Sequence, residues 1–206
     1  MRQSQDSRVL CEEELLEDPA QVGYAVLDVE DEWQLFSTGD QSKIVSITLE
    51  EALVLLPELS LLEFLRPGMV AVAGEAPVTW FVESYEPADL EPDELATWVK
   101  DWDLPFAPEL ACSVSPDLAE VHDLGEPRIR KVYQITRTDP EVWSFFGRYA
   151  VDEEEHYPML LRDVVMLYPA VADALRQHPN SSADLMWDDE TGAWLEAAEY
   201  DRLHLA

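Results

Sequence analysis

Histidine and cysteine are the residues of this chain best suited to chemistry, because they bind metals and act as bases or nucleophiles near neutral pH. The 206 residues include four histidines and two cysteines. No two histidines have the i, i+4 spacing of a helical metal site, and none lies beside a cysteine in the sequence. We therefore interpret the histidines as structural or surface residues: His122, His156, His178 and His204.

An acidic segment, DEEEH at residues 152–156, is a candidate carboxylate–histidine metal site. It precedes an apolar run with helical spacing, where acidic side chains also favour the helix dipole and solvent. We expect this segment to be solvated, so neither a metal nor another cofactor is predicted.

The two cysteines, Cys11 and Cys112, could be reactive thiols or packed side chains. Reactive thiols need a basic neighbourhood or a helix start, whereas three glutamates follow Cys11. The hydroxyl residues lack the Gly-x-Ser-x-Gly pattern of a nucleophile, and the seven glycines lie singly, which is unlike a phosphate-binding loop. We therefore predict no catalytic and no cofactor-binding residues, and expect a protein that is not an enzyme.

The charge of the chain is strongly negative, with 44 acidic and 13 basic residues and a net charge of −31. Residues 1–127 carry −24 of it and residues 128–206 carry −7. Such a field repels nucleic acid and anionic lipid and attracts basic proteins, although acidity can also serve solubility alone. The one basic cluster, RIRK at 128–131, does not outweigh the acids around it. We predict a basic protein such as a toxin as the partner, and neither nucleic acid nor membrane.

The compartment is inferred from the same composition. The N-terminal residues turn acidic where the apolar centre of a signal peptide would lie, and no apolar run approaches the length of a membrane span. Two cysteines do not make a disulfide framework. We expect a cytoplasmic protein with reduced thiols.

The chain reads as two copies of one pattern. Trp33 and Trp143 are 110 residues apart, and Pro57 and Pro169 are 112 apart. Further matches follow in the same order along the chain: Phe36 with Phe146, Pro67 with Pro179, Trp80 with Trp194, and Cys11 with Cys112. We interpret this order as an internal duplication that produced two domain-sized units.

We predict an α+β fold made of two tandem β-β-α-(α)-β-β units. The first repeat spans residues 8–86, a proline-rich linker spans 87–108, and the second repeat spans 109–202. Leu95, Trp98, Val99 and Trp102 give the linker a short amphipathic helix, which we expect to pack across both units.

The elements of the first unit follow from local signals. VGYAVLDV and EWQLFS alternate as a strand pair, and MVAVAG with VTWFVES forms a second hairpin. Between them, Thr48 and Glu51 predict a capping box for a helix that Pro57 ends, and Ser60 with Glu63 predicts a box for a second short helix.

The second unit is predicted on the same plan. KVYQITR and VWSFFGRYA form its first strand pair, and a helix with Pro158 in its first turn follows. Strands ADLMW and AWLEAA then flank a turn in which Gly192 adopts positive φ.

These motifs resemble a bacterial domain-of-unknown-function family that is counted among the immunity proteins of polymorphic toxin systems, number thirty-three of that series. The resemblance rests on an opening cysteine, a VGY strand, a W-x-x-F-S strand and a helix that ends in L-P-x-L, here Cys11, Val22–Tyr24, Trp33–Ser37 and Leu56–Leu59. The second copy keeps Cys112, Trp143, Phe146 and Tyr168–Val171, but it has Gly147 in place of the serine. Such proteins are predicted to bind and block a cognate toxin, and the family brings no catalytic residue to this chain.

Two functions therefore remain. The first is a non-catalytic interaction protein of the toxin-immunity type, in which an acidic inhibitor meets a basic toxin. The alternative is a small-ligand-binding protein or enzyme with its site in the cleft between the two repeats.

Overall fold

The chain divides into two compact units in the structure, which is a computed structural model. It describes residues 7–28, 30–38, 43–74, 79–84, 102–122, 131–139, 142–150 and 156–204. The first unit contains residues 1–86 and 120–127, and the second contains residues 87–119 and 128–206. Both units combine one β-sheet with short helices, so the predicted α+β class is confirmed.

The first unit is built on a seven-stranded sheet of order β4-β1-β3-β2-β5-β6-β8. Its strands are β1 (Arg8–Glu12), β2 (Val22–Leu27), β3 (Trp33–Ser37), β4 (Ile44–Thr48), β5 (Met69–Ala73), β6 (Thr79–Ser84) and β8 (Glu120–His122). Helix α1 (Leu49–Leu55) follows β4, and 3-10 helices cover Glu13–Leu16, Pro19–Gln21 and Pro57–Leu62. Strand β8 lies within the predicted second repeat, yet it pairs with β6 of this sheet.

The second unit has a six-stranded sheet of order β11-β7-β10-β9-β12-β13. Its strands are β7 (Ala111–Val114), β9 (Gln134–Asp139), β10 (Val142–Phe146), β11 (Tyr157–Leu160), β12 (Leu185–Asp188) and β13 (Ala193–Glu196). Its helices are α2 (Pro116–Ala119), α3 (Leu161–Leu167), α4 (Ala170–Gln177) and α5 (Ala197–His204).

Six strands follow the same order in both sheets, with β4, β1, β3, β2, β5 and β6 matching β11, β7, β10, β9, β12 and β13. Each sheet has one parallel pair among these strands, which is β1 with β3 in the first unit and β7 with β10 in the second. The other matched neighbours are antiparallel. A duplicated gene would produce this common topology, and descent by duplication stays a prediction.

The strand registers identify which residues are equivalent. Trp80 lies opposite Ala73 and Trp194 lies opposite Trp187, so the two tryptophans occupy matching places. Trp33 pairs with Val9, whereas Trp143 pairs with Cys112. Cys112 is therefore the counterpart of Val9 and not of Cys11, and the predicted match of the two cysteines is wrong by two residues.

The predicted plan of each unit lacked two strands. Strands β1 and β4, and likewise β7 and β11, extend the predicted β-β-α-(α)-β-β order to four strands before the helix. These strands are only four or five residues long, and β4 and β11 each run directly into a helix. Pro158 consequently lies in β11, and its predicted place in the first turn of a helix is wrong.

Of the two predicted capping boxes, one forms and the other does not. Thr48 and Glu51 form the predicted capping box, in which the Thr48 side chain accepts from the Glu51 N–H and the Glu51 carboxylate accepts from the Thr48 N–H. Ser60 does not cap a second helix with Glu63. It lies inside the 3-10 helix Pro57–Leu62, where its Oγ donates to the Pro57 carbonyl.

Proline ends the first helix in both units by the same geometry. Leu56 has φ −133° and ψ 80°, and Tyr168 has φ −129° and ψ 75°, since a residue before proline is pushed out of the helical region. Helix α4 follows in the second unit, whereas the first unit has only a 3-10 helix at this place.

The tryptophans are central to both cores. Trp33 and Trp80 in the first unit and Trp143 and Trp194 in the second are each at most 6% exposed. Phe106 meets Trp143 edge to face with ring centroids 5.0 Å apart, so the residues that precede β7 complete the second core. Of the predicted linker helix, only Trp102 lies within the described residues, and its indole N–H donates to the Phe106 carbonyl.

A buried side chain at the end of β1 or β7 binds the end of the neighbouring strand. In the first unit the Glu12 carboxylate, 2% exposed, accepts from the Ser37 N–H at 2.7 Å and from the Ser37 hydroxyl at 2.6 Å. In the second unit Ser115 Oγ accepts from the Gly147 N–H at 2.9 Å. The same backbone donor is therefore satisfied by a carboxylate in one unit and by a hydroxyl in the other.

Replacing Glu12 with alanine should lower the free energy of unfolding by about 2 kcal/mol, because two buried donors on Ser37 lose this acceptor. Glu13→Ala is the matched control, since Glu13 is exposed and its carboxylate forms a surface ion pair with Lys43. The control should change stability by less than about 1 kcal/mol. Urea unfolding followed by tryptophan fluorescence measures both variants, and equal effects would contradict the structural role of Glu12.

Candidate functional site

A groove of about 470 Å³ lies on the second unit. Its walls come from the start of β9, the residues that follow β10, the end of β12 with the next turn, and helix α5. Four aromatic rings line it: Tyr133, Phe146, Trp187 and Tyr200. We call it the β9–β12 groove.

Backbone hydrogen bonds place its aromatic wall. The Tyr133 N–H donates to the Phe146 carbonyl, and the Trp187 N–H donates to the Tyr133 carbonyl, both at 2.8 Å. These bonds extend the sheet past the formal start of β9 and bring β10, β9 and β12 side by side. Trp187 is held further by Trp194, whose ring centroid is 5.4 Å away.

Two cations lie over this wall. Lys131 Nζ is 4.0 Å from the centroid of the Trp187 ring, and the Arg148 guanidinium carbon is 4.3 Å from that of Tyr133. Such cation–π contacts contribute about 0.5–1 kcal/mol at exposed sites. They fix two positive charges on aromatic surface in a chain that is otherwise strongly acidic.

Asp189 joins both cations to the tryptophan. Its carboxylate accepts from Lys131 Nζ at 2.8 Å, from Trp187 Nε1 at 3.1 Å and from Arg148 Nη2. The hydrogen bond from Lys131 is the main cause that lowers the pKa of the Asp189 carboxyl, and the Lys131 charge, Trp187 and the Arg148 charge lower it further. Asp189 is therefore ionised whenever the groove is assembled at neutral pH.

The loop that presents Arg148 is fixed from beneath by Ser115 and Asp117. Ser115 Oγ donates to Asp117 Oδ1 at 2.6 Å, and Asp117 Oδ2 accepts from the Tyr149 N–H at 3.0 Å. A Cβ at Gly147 would overlap the Asp117 carboxylate, which explains the glycine where the first unit has Ser37. The residues on either side of Arg148 are thus both bound to the start of α2.

A carboxylate–imidazole pair lies at the other end of the groove. Asp188, 2% exposed, accepts from the Thr191 hydroxyl and from the N–H groups of Glu190 and Thr191, while His204 Nε2 is 3.2 Å from its Oδ1. The hydrogen bond from Thr191 Oγ1 is the main cause that lowers the pKa of the Asp188 carboxyl. The predicted turn forms here, with Gly192 at φ 66°.

An Asp–His pair is able to act as a general base, but nucleophilic catalysis also needs a hydroxyl or thiol within hydrogen-bond distance of the imidazole. In the described part of the chain no serine, threonine or cysteine hydrogen-bonds to His204, which instead lies against Tyr200 with ring centroids 4.4 Å apart.

The other residues considered from the sequence lie apart from this groove or contribute to it indirectly. Cys11 and Cys112 are buried, and burial raises the pKa of both thiols, that of Cys112 to about 12, which disfavours a reactive thiolate. His156 meets Phe146 edge to face, and the His178 N–H closes the end of α4. Residues 152–155 and 128–130 lie outside the described residues, so the acidic and most of the basic cluster cannot be placed.

Local sequence patterns do not reveal the groove, because its polar residues come from distant segments. Lys131, Arg148 and Asp189 span 58 residues and form no spaced motif. His204, which the sequence predicts to be a structural or surface residue, has its Nε2 3.2 Å from the Oδ1 of the buried Asp188. Across the described ranges, no group of three or more histidine, cysteine, aspartate or glutamate residues could hold a metal ion.

The first unit has a different surface, dominated by acids. Its described residues include 15 acidic and three basic side chains, and most of the acids are exposed. Three basic groups cannot pair 15 carboxylates, and Lys43 is already bound to Glu13. In the second unit 13 acids face six bases within the described residues, and ion pairs join many of them.

None of the described helices is long and apolar enough to cross a membrane. Comparison with protein-family models gives no match for this chain, and comparison with curated proteins and with solved structures gives none either.

Replacing Asp188 with asparagine should remove a pH-dependent part of the stability. The folded pKa of this carboxyl is lower than its ordinary value of 3.8, so its contribution is complete above that value and is lost as the pH falls through the folded pKa. The stability difference between the native chain and Asp188→Asn should be present at pH about 5 and should shrink below pH about 4.

Urea unfolding at a series of pH values measures this difference. Asp201→Asn is the matched control, because Asp201 is exposed on the same helix as His204. Its effect should be small throughout, and a difference for Asp188→Asn that persists undiminished to pH 3 would contradict the assignment.

Proposed function

We propose that this chain is a non-catalytic binding protein whose partner is a basic protein, in the manner of an immunity protein that binds a toxin. The observation that carries the proposal is the excess of carboxylates over basic groups on the first unit, where acids outnumber bases 15 to three among the described residues. We include in this proposal that the chain is bacterial, that it is related to toxin-immunity proteins and that it is cytoplasmic.

The physical reason is electrostatic steering. A concentration of one sign of charge raises the rate at which an oppositely charged protein arrives, to as much as about 10⁸–10⁹ M⁻¹s⁻¹ at low salt. Folding itself does not need these acids, since Glu17, Asp18, Glu30 and Glu63 are exposed. Their repulsion opposes compaction, so the surface is more consistent with binding than with stability.

A second candidate function is binding of a small molecule, which the groove supports. Its volume lies within the range of small-molecule sites, and it combines aromatic walls with the Arg148 and His204 donors. The ligand class that fits is a planar ring with acceptor groups, since the ring would stack and the acceptors would meet these donors. This candidate places the site within the second unit, while a site in the cleft between the repeats stays a prediction.

Binding to the protein encoded beside this chain's own gene is the test of the first function. The association rate should fall about ten-fold or more between low and high salt, because screening removes the steering. Glu17→Gln with Glu63→Gln should slow association at low salt more than the control pair Glu109→Gln with Asp201→Asn in the second unit. A rate that does not vary with salt would contradict the electrostatic account, and absence of binding would contradict the function.

A fragment screen tests the second function. Planar compounds with a carboxylate should shift the NMR signals of the Trp187 indole N–H and of the Arg148 backbone, and Arg148→Ala should weaken the binding about ten-fold, equal to 1.4 kcal/mol. Arg202→Ala is the control, because Arg202 is exposed and pairs with Glu199 on its own helix. Equal losses for both variants would indicate non-specific charge attraction.

A further inference from the structure

We propose that β4 of the first unit is a docking strand, to which an extended basic segment of the partner protein adds as an eighth strand of the sheet. The inference rests on the proposed function and names the surface through which it would act. Strand β4 lies at one end of the sheet order and pairs only with β1 among the described strands.

The hydrogen bonds between β1 and β4 show which backbone groups face outward. The Glu13 N–H donates to the Lys43 carbonyl, and the Leu49 N–H donates to the Ser7 carbonyl. In an antiparallel pair the hydrogen-bonded residues alternate, so Val45 and Ile47 direct their backbone groups toward β1. Ile44, Ser46 and Thr48 then direct their N–H and carbonyl groups away from the sheet.

Two of these outward residues remain available to a partner. The Thr48 N–H donates to the Glu51 carboxylate of the capping box, which closes that end of the edge. Ile44 is 46% exposed and Ser46 is exposed as well, and no strand of the described part of the chain pairs with their outward side. An added strand would form its backbone hydrogen bonds at these two residues.

The equivalent edge of the second unit is blocked at one residue. The Leu161 N–H donates to the Leu110 carbonyl just as Leu49 does to Ser7, so Pro158 and Leu160 are the outward residues of β11. Pro158 lies two residues before the N-cap of its helix, as Ser46 does, and it has no N–H to offer. Proline on an edge strand is a common protection against strand addition. One unit therefore has this protection and the other lacks it.

Charge selects the kind of strand that could add. A second copy of this chain would bring another net charge of −31 to the edge, which opposes self-pairing. Glu50 and Glu51 are exposed just past one end of β4, whereas at the other end Glu13 is bound to Lys43. A segment that alternates lysine or arginine with apolar residues, with its basic residues placed toward the helix end of β4, meets both the backbone edge and the Glu50 and Glu51 carboxylates.

The variant Ser46→Pro tests the proposal, because it gives β4 the residue that already occupies the equivalent place in β11. Ser46→Ala is the matched control, since it changes the exposed side chain and keeps the N–H. The probe is a capped nine-residue peptide of alternating lysine and valine, measured by fluorescence anisotropy at low salt. The native chain and Ser46→Ala should bind it alike, and Ser46→Pro should bind about ten-fold more weakly or worse.

Amide hydrogen exchange gives a second readout that needs no variant. The peptide should slow exchange of the Ile44 and Ser46 amides in the native chain, and a peptide with N-methyl groups at alternate residues along the strand edge should not. Circular dichroism and urea unfolding of Ser46→Pro establish that the fold is kept, and if it is not, the N-methylated peptide decides. Equal binding by Ser46→Pro when folded, no change in amide exchange, or no binding of the peptide at all would each overturn the proposal.

These outcomes separate the docking strand from the proposed function. If the protein encoded by the adjacent gene binds in a salt-dependent way and Ser46→Pro leaves that binding unchanged, the function stands and the docking strand falls. If that protein does not bind the native chain, the function falls. A dimer of the native chain that Ser46→Pro abolishes would replace the basic partner with a second copy.

Discussion

The parallel pairing of β1 with β3, repeated by β7 with β10, is the constraint on which both units depend. Parallel neighbours cannot be joined by a tight turn, so the chain must cross over before it returns. In the first unit the two 3-10 helices between Glu13 and Gln21 form that crossover, and β3 then enters between β1 and β2. Because β3 occupies one side of β1, the next strand, β4, can pair only on the other side and becomes the edge of the sheet.

In the second unit the same pairing also positions a wall of the groove. One residue past the parallel contact, a side chain accepts a backbone N–H at the end of the neighbouring strand. Glu12 at the end of β1 accepts from Ser37, and Ser115 after β7 accepts from Gly147. In the second unit this link continues through Asp117 to the residues on both sides of Arg148. The position of Arg148 in the groove therefore depends on the residues that follow β7.

The start of the helix after the edge strand differs between the two units in charge and in burial. The first turn of the helix after the edge strand has the exposed Glu50 and Glu51 in the first unit, and the buried pair Arg162 and Asp163 in the second. Residues 108–110 cover that second helix start, where Pro108 and Leu110 accept from its N–H groups. In addition, Pro158 removes one N–H donor from the edge strand β11, whereas Ser46 keeps its N–H at the equivalent place in β4.

Local signals in the sequence were enough for part of this fold. The α+β class, the capping box at Thr48, the helix ends before Pro57 and Pro169, and the Gly192 turn all follow from neighbouring residues, whose effects act within one turn of chain. The tryptophan matches also identified equivalent places, since a large buried side chain tolerates few positions.

The remaining strands and the groove were decided by tertiary structure, because pairing between distant strands produces no recognisable periodic pattern in short segments. Strands of four or five residues contain too few alternations to be told from a loop, so β1, β4, β7 and β11 were missed, Pro158 was assigned to a helix, and Cys112 was matched two residues out of place. The groove formed by Lys131, Arg148 and Asp189 exists only where three separate segments meet. The sequence by itself determined the composition, the charge and the locally encoded elements. Only the paired sheets decided which strand lies at the edge and which side chains meet, since both depend on the register between residues far apart in the chain.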